Sequence, residues 1–583
     1  MTSDSIHKEN QVKIYYYIIF CIIIFCVAIQ HIAEVYQPTL MDDEFAYWGI
    51  AKYFDGVDWS PTMSLSRYYS YGYSFILYLI LQVFSNPIYM YRAAVAVNGI
   101  FLCGVFLVQD SIYRKIFPDT GRILICVVSF LMTLMPCNIA YANVSLSENL
   151  LLLLLCVIVR LFCDMDRKAP YWKCFSLGIL LTYSYMVHQR MLGVMVAAAL
   201  VLFIMLLQKK VGLWQFLSVM CSMTVMMVLH TFIKADLKEA LWMNSAASSV
   251  NDYGSLTSHV VNVFSSLKGL LIYGVSISGK LFYFASVTYM IGIIGLVIII
   301  KRSFCAVKNS ETAEYASLFI LTSFIMLTGV ATMFFYNPAT LASLLYGRYM
   351  EIIYPLVTGI GIIVLYDLGM SCYKKVIFLF GGIGLVYGIT GIALKLFVKH
   401  RNLTWLNYIS CSQMYKYMSG DNLPFIKTMA VVLMTSAAVM VYFGLRKYKK
   451  AADVAVSIAF LILAWNTSDF AIQAVNLPLQ QSKYDTHSIV DYMQENDIEG
   501  HEIFYYIDEE ESVDTSVYRE YMQYWLQDKQ VLCIDSGQLE SIPQNSWLIV
   551  SNEEKETIGK EAGLKKVYEN EVCVMWGNKG AEY

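Results

Sequence analysis

The stretch Leu40-Met41-Asp42-Asp43-Glu44-Phe45-Ala46-Tyr47-Trp48-Gly49-Ile50-Ala51-Lys52-Tyr53-Phe54 follows the first apolar run of the chain. From Asp43 onward its apolar positions fall at helical spacing. Phe45, Trp48, Ala51 and the Tyr53/Phe54 pair make an aromatic face of the kind that settles at a membrane–water boundary. Three adjacent carboxylates open this helix. Acids at a helix start favour the positive end of its dipole, so capping is one reading. Capping needs one acid, however, and three side by side repel each other. Such crowding raises a pKa and suits a general base or a cation site, which is the second reading.

The surrounding chain decides where this helix lies. Of the 583 residues, 57% are hydrophobic and only 15% charged, against about 25% charged in soluble domains. An ordinary cytosolic protein, a disordered chain and a nucleic-acid binder are excluded; a net charge of −3 gives no basic field for nucleic acid. Most of the 14 cysteines lie in apolar runs, Cys21, Cys103 and Cys156 among them, without CxxC spacing, and read as small hydrophobes. Tyr15 to Ile32 is too long for a signal peptide and lacks a small-residue cleavage site, so it reads as a retained first span.

Apolar runs predict spans near 14–32, 88–109, 122–137, 149–164, 172–187, 191–208, 213–233, 281–300, 315–336, 350–367, 375–396, 425–444 and 451–468. A cytoplasmic N-terminus puts Arg114, Lys115 and Arg122, then Arg167, Lys168 and Lys173, Lys209 and Lys210, and the later basic pairs on one side, as the positive-inside rule requires. That holds only if the dozen-residue run 73–84 lies at the outer face. The expectation is an α-helical multispanning membrane protein with about 13 transmembrane helices, multi-pass in the plasma membrane. Residues 1–474 form the membrane domain, with outer loops 33–87, 234–280 and 397–424. Residues 475–583 are charged and alternate β-like runs (503–507, 531–534, 547–550, 572–576) with amphipathic stretches (487–493, 516–525), which predicts a small extracytoplasmic α/β domain. It carries no phosphate loop or metal motif and reads as an outer cap or acceptor platform.

A second acid falls on the same predicted side. Met135-Pro136-Cys137-Asn138 leads through Ser145-Leu146-Ser147 to Glu148, which precedes a run of leucines. Glu148 reads either as a helix-start charge or as a carboxylate facing a wet cavity, since an acid there is costly in lipid.

Asp43-Glu44 followed by Tyr47 and Ala51, in an outer loop after the first span, resembles the GT-C type of polyprenyl-phosphate-sugar-dependent glycosyltransferases. Within that type it is most similar to the bacterial lipid A aminoarabinose transferase and protein O-mannosyltransferase group. The resemblance implies an acidic pair in the first outer loop and a second acid in the next, here Asp43/Glu44 and Glu148. It also implies the GT-C fold, interfacial helices and an outer C-terminal domain. The aminoarabinose transferases commonly carry Lys-Pro-Pro later in the first loop. Here the stretch is Arg67-Tyr68-Tyr69-Ser70-Tyr71-Gly72, so donor sugar and acceptor do not carry over; Arg67 is the candidate for that lysine's place.

Outer-face cations are few. His188-Gln189-Arg190 occupies a tight turn, and Tyr346-Gly347-Arg348-Tyr349 opens a span. Each reads as an interfacial anchor or as a guanidinium for the carrier phosphate. Arg190 and Arg348 are the first candidates, Lys280 and Arg401 the weaker ones. His188 reads as a hydrogen-bonded interface histidine ahead of a catalytic one. By the resemblance, Asp43 deprotonates or orients an acceptor hydroxyl, which attacks the anomeric carbon with inversion while an arginine offsets charge on the leaving polyprenyl phosphate. The partners implied are a polyprenyl-phosphate-linked sugar, a cell-envelope acceptor and the bilayer. No cofactor is certain; a divalent cation is compatible with the carboxylates, but no complete ligand set is in view. The competing classes are a lipid-linked-sugar flippase, which needs charges deep in the spans, and a polysaccharide polymerase or ligase.

Overall fold

The first apolar run forms α1 (Ile14–Ala28) and the acidic stretch forms α2 (Met41–Phe54). The computed structural model describes residues 14–39, 41–243, 256–309, 312–334, 342–367, 370–397, 410–411, 424–444, 485–496, 498–507, 513–543, 545–551 and 557–577, with scattered residues between 465 and 477. The short run over 73–84 is α3 (Ser74–Leu81), eight residues long. At 1.5 Å per residue it covers roughly 12 Å, far less than a hydrocarbon core of roughly 30 Å. α4 (Pro87–Ile116) begins where the Asn86 side chain accepts from the N–H groups of Ile88 (3.0 Å) and Tyr89 (3.3 Å). Pro87 sits in the first turn, where its missing N–H is not needed.

The expected span over 122–137 is two pieces, α5 (Arg122–Thr133) and α6 (Pro136–Ala142), bent by 54°. Pro136 cannot continue the ladder of the preceding turn. There follow α7 (Glu148–Phe162), α8 (Tyr171–Val187), α9 (Leu192–Leu207), α10 (Leu213–Trp242) and α11 (Leu256–Phe264). Then come α12 (Leu267–Val287), α13 (Ile291–Asn309), α14 (Thr312–Phe334), α15 (Tyr354–Asp367), α16 (Met370–Phe397) and α17 (Phe425–Gly444). Against thirteen expected spans, the described residues hold six helices long and apolar enough to cross a membrane, or seven with the bent pair as one. Shorter apolar helices, Ile14–Ala28 and Phe425–Val439, add to these. The span expected over 451–468 lies outside the described residues, as do Arg401 and most of the 397–424 loop.

Two expectations need correction. The single span over 281–300 is two helices, α12 and α13, separated where Tyr289 and Met290 take φ of 48° and 64°. Two consecutive left-handed residues end the i→i−4 ladder, and Met290 N–H closes on Ala285 O instead (2.8 Å). The stretch 234–280, expected as a loop, is helical over much of its described length. α10 runs on to Trp242 because Leu237, Leu241 and Trp242 bury one face. The Trp242 indole donates to Ser66 O (2.8 Å), which fixes this extension to the first loop.

The C-terminal segment carries α18 (Asp485–Glu495), β1 (Glu502–Tyr506), α19 (Val513–Leu526), β2 (Val531–Ile534), β3 (Ser546–Ser551), β4 (Lys565–Glu569) and β5 (Cys573–Gly577). The sheet order is β2-β1-β3-β5-β4. β1 pairs parallel with β2 and β3, while β5 pairs antiparallel with β3 and β4. The four expected strands are present. The fifth, β4, is an edge strand whose half-exposed Lys-Lys-Val-Tyr-Glu sequence hides its character; charge on an edge also discourages pairing with another chain.

This domain is stitched to the first loop. Tyr521 donates to Pro38 O (3.0 Å), Tyr524 to Pro87 O (3.0 Å) and Trp525 to Gln37 Oε1 (2.7 Å). In the other direction Trp59 donates to Gln527 O (2.6 Å) and Lys52 pairs with Asp528 (2.9 Å). Trp48 packs edge-on against Tyr524. α19 therefore backs the helix that carries the acidic stretch.

Candidate active site

The acids of α2 diverge, because adjacent helical residues point about 100° apart. Glu44 faces inward and is fully buried. Its Oε1 accepts from Thr39 N–H (2.8 Å), and its Oε2 accepts from Tyr91 Oη (2.9 Å), Ser145 N–H (2.8 Å) and Ser145 Oγ (2.5 Å). Four donors saturate this carboxylate and clip the first loop to the segment that leads into α7. Trp48 donates to the same Ser145 hydroxyl (3.0 Å), and Tyr47 shares a hydrogen bond with Ser147 (3.2 Å).

Asp43 points the other way. Its Oδ1 accepts from the Tyr69 hydroxyl and its Oδ2 pairs with Arg348 Nη1. Arg348 Nε donates to Glu148 Oε1 at 2.5 Å, and Arg190 Nη2 reaches the same oxygen at 3.4 Å. Arg190 Nη1 also donates to Arg348 O (3.3 Å) and its guanidinium lies over the Tyr349 ring (5.2 Å). Asp43, Arg348, Glu148 and Arg190 thus alternate in sign. Glu148, Arg348 and Arg190 are buried, while Asp43 keeps 15% of its side chain exposed and is the accessible end of the row. Glu148 Oε2 is buried and makes no hydrogen bond among the described residues.

The flanking groups are tuned by this row. Burial and the charges of Asp43 and Asp42 hold the Tyr69 hydroxyl well above its ordinary range. Burial, then Glu148, does the same for Tyr47. Burial opposes the charge on Arg348, but Glu148 and Asp43 outweigh it and raise its pKa further. Burial raises Asp42, opposed by Arg67 and reinforced by Asp43.

Of the residues singled out in the sequence, Asp43, Glu148, Arg190 and Arg348 form the row, Glu44 and Tyr47 lie beside it and Tyr349 stacks on Arg190, whereas His188 serves the backbone. Its Nδ1 accepts from Arg190 N–H (3.2 Å) and its ring packs edge-on against Tyr349 (5.3 Å). Burial and the cations Arg190 and Arg348 hold it neutral, well below the usual histidine range. Arg67 is exposed beside Asp42, outside the buried row. The sequence reading passed over Glu351, which is buried and accepts from Tyr141 (2.6 Å) and Tyr283 (2.6 Å). The rule that drew attention to Glu148, an acid at the start of an apolar run, applies equally to Glu351.

The donor set does not suit a divalent cation. Both oxygens of Asp43 and one of Glu148 are engaged by Tyr69 and the two arginines, and Glu44 is saturated. Among the described residues no three metal-ligating side chains converge.

The chain, mostly helical with six or seven apolar spans among the described residues and a small C-terminal sheet domain, has a GT-C-like fold. Two solved structures share it across nearly the whole chain. One is ArnT from Cupriavidus metallidurans bound to undecaprenyl phosphate, at 11% identity over 97% of this chain and 98% of that one, with a TM-score of 0.54. The other is ArnT from the same organism in the apo state, at 12% identity over 97% of each chain, with a TM-score of 0.51. At these identities the likeness is one of fold. No protein-family profile matches the sequence, and no curated protein matches it.

Proposed function

We propose that this chain is a membrane glycosyltransferase that moves a sugar from a polyprenyl-phosphate carrier to a cell-envelope acceptor at the outer face of the membrane. The observation that carries the reading is the row Asp43–Arg348–Glu148–Arg190, set at the start of the interfacial helix α2 within a GT-C fold. The ArnT structure that shares the fold was solved with undecaprenyl phosphate, a ligand of the proposed donor class.

In this reading Asp43 is the base. Its accessible carboxylate takes the proton of the acceptor hydroxyl as that oxygen attacks the anomeric carbon. The bond from that carbon to the phosphate oxygen breaks, and the electron pair leaves with the polyprenyl phosphate. Arg348 lies between the base and Glu148. As charge grows on the leaving phosphate, the guanidinium turns towards it and stabilises it. Asp43 gives up its ion-pair partner as it takes the proton, so loss of the leaving group and proton removal are coupled through Arg348. Arg190 supports Arg348 through its carbonyl and shares Glu148. The second oxygen of Glu148, which makes no hydrogen bond among the described residues, is the proposed acceptor for a hydroxyl of the bound substrate. Glu44 and α19 hold the frame.

The test is donor consumption by purified full-length protein in detergent. Given a panel of polyprenyl-phosphate sugars and an envelope extract, a transferase releases polyprenyl phosphate without any sealed compartment. A lipid-linked-sugar flippase leaves every donor intact under those conditions, and that result would overturn the proposal.

A further inference from the structure

At the far end of α7 from Glu148 lies a second charged cluster that the glycosyl-transfer reading does not use. α7 has 15 residues, so its ends stand roughly 22 Å apart at 1.5 Å per residue. Just past its C-terminus, Asp164 is approached by three cations from three helices. Lys115 Nζ at the end of α4 is 3.0 Å away, Arg160 Nη1 on α7 2.8 Å, and Lys173 Nζ at the start of α8 3.1 Å. One carboxylate offsets one of these charges and leaves two. The nearby Asp166 spends its Oδ1 on Lys168 N–H (2.8 Å).

The three cations differ in freedom. Arg160 is held twice, by Asp164 and by Ser111 Oγ (2.6 Å). Lys115 and Lys173 are flexible amines, with Lys115 49% exposed. Beside them α8 turns aromatic side chains outward: Tyr171 is 60% exposed, Trp172 63% and Phe175 52%, with Lys173 Nζ 5.8 Å from the Trp172 ring. Exposed Trp and Tyr at the start of an apolar helix mark the level of lipid headgroups.

A positive cluster beside exposed aromatic side chains calls for a ligand with a phosphate and an acyl tail together. We infer that Lys115, Arg160 and Lys173 bind the phosphate of an anionic phospholipid headgroup, with its chains lying along Trp172 and Phe175. The site is at the end of the bundle opposite Asp43 and is independent of the chemistry proposed there.

The experiment uses full-length protein from nanodiscs of equal phosphatidylcholine and phosphatidylglycerol. After transfer to detergent, bound lipid is counted by mass spectrometry. Wild type retains phosphatidylglycerol over phosphatidylcholine by about thirty-fold, on the scale expected for two lysines near a headgroup. K115Q/K173Q brings the two lipids close to parity, whereas K115R/K173R keeps the preference. K209Q/K210Q, at the loop between α9 and α10, also keeps it. Equal retention of both lipids by wild type would overturn the inference. So would an equal loss in K209Q/K210Q, which would mean a diffuse field, or displacement of the lipid by inorganic phosphate, which would mean a site for free anions.

Discussion

Replacing Arg348 by Met cuts the row of alternating charges at its middle. The Arg348 side chain is 4% exposed and bonds Glu148, 1% exposed, and Asp43, 15% exposed. Without the guanidinium, two carboxylates share a low-dielectric site with only Arg190, 3.4 Å from Glu148, to offset them. Removing one partner of a buried pair costs about 3–5 kcal/mol. Met fills most of the volume, so a cavity adds little. Solvent screens the Asp43 arm, which places the loss near the low end, about 3 kcal/mol. Adding Glu148→Gln to Arg348→Met removes one of the stranded charges. The double variant should therefore be more stable than the sum of the single losses implies, by about 1–3 kcal/mol. Reversible denaturant titration in micelles of wild type, both single variants and the double variant measures this coupling. Losses that add to within about 0.5 kcal/mol would mean that Arg348 and Glu148 are not energetically joined, and the charge row would lose its meaning.

Glu44→Gln forfeits a charged acceptor serving four donors, and should cost on the order of 3 kcal/mol of stability. Turnover per folded molecule should change much less, which a comparison of melting midpoint with initial rate will show. His188 is held neutral in the fold with its pKa depressed below about 6.5. Its contribution is therefore full above that pH and lost as pH falls, by up to about 1.4 kcal/mol per unit while only the unfolded chain takes the proton. His188→Asn should flatten the stability profile between about pH 6.5 and 5; an unchanged slope would remove His188 as its source. Native Cys533 and Cys305, both partly exposed, report on the proposed topology. An impermeant thiol reagent on intact spheroplasts should label Cys533 at once, and Cys305 only after the membrane is opened.

What the sequence revealed, it revealed through local pattern. α2 was legible because its aromatic spacing and its acids both point to an interfacial helix start. The strands β1, β2, β3 and β5 were legible because β-like apolar runs survive in a charged segment. The edge strand β4 was hidden by its charges, and the break between α12 and α13 by its residues. Tyr289 and Met290 take positive φ without a glycine or proline to announce it. The divergence of Asp43 from Glu44 followed from helical geometry. Their partners did not, since Arg348 lies 305 residues from Asp43 and 200 from Glu148. Glu351 was missed because it was counted into an apolar run, although two tyrosine hydroxyls make its burial tolerable.

The most direct measurement of the central claim is the turnover of Asp43→Asn beside its affinity for donor. Asparagine keeps the shape of the side chain and a hydrogen-bond acceptor for Tyr69 but has no basicity. Release of polyprenyl phosphate from the preferred donor, followed in detergent with envelope extract as acceptor, should fall by about 10²- to 10⁴-fold. Donor binding, measured on the same preparation by retention of labelled lipid, should stay within a few fold of wild type, about 1 kcal/mol or less. Turnover of Asp43→Asn at the wild-type rate would contradict the assignment of Asp43 as base.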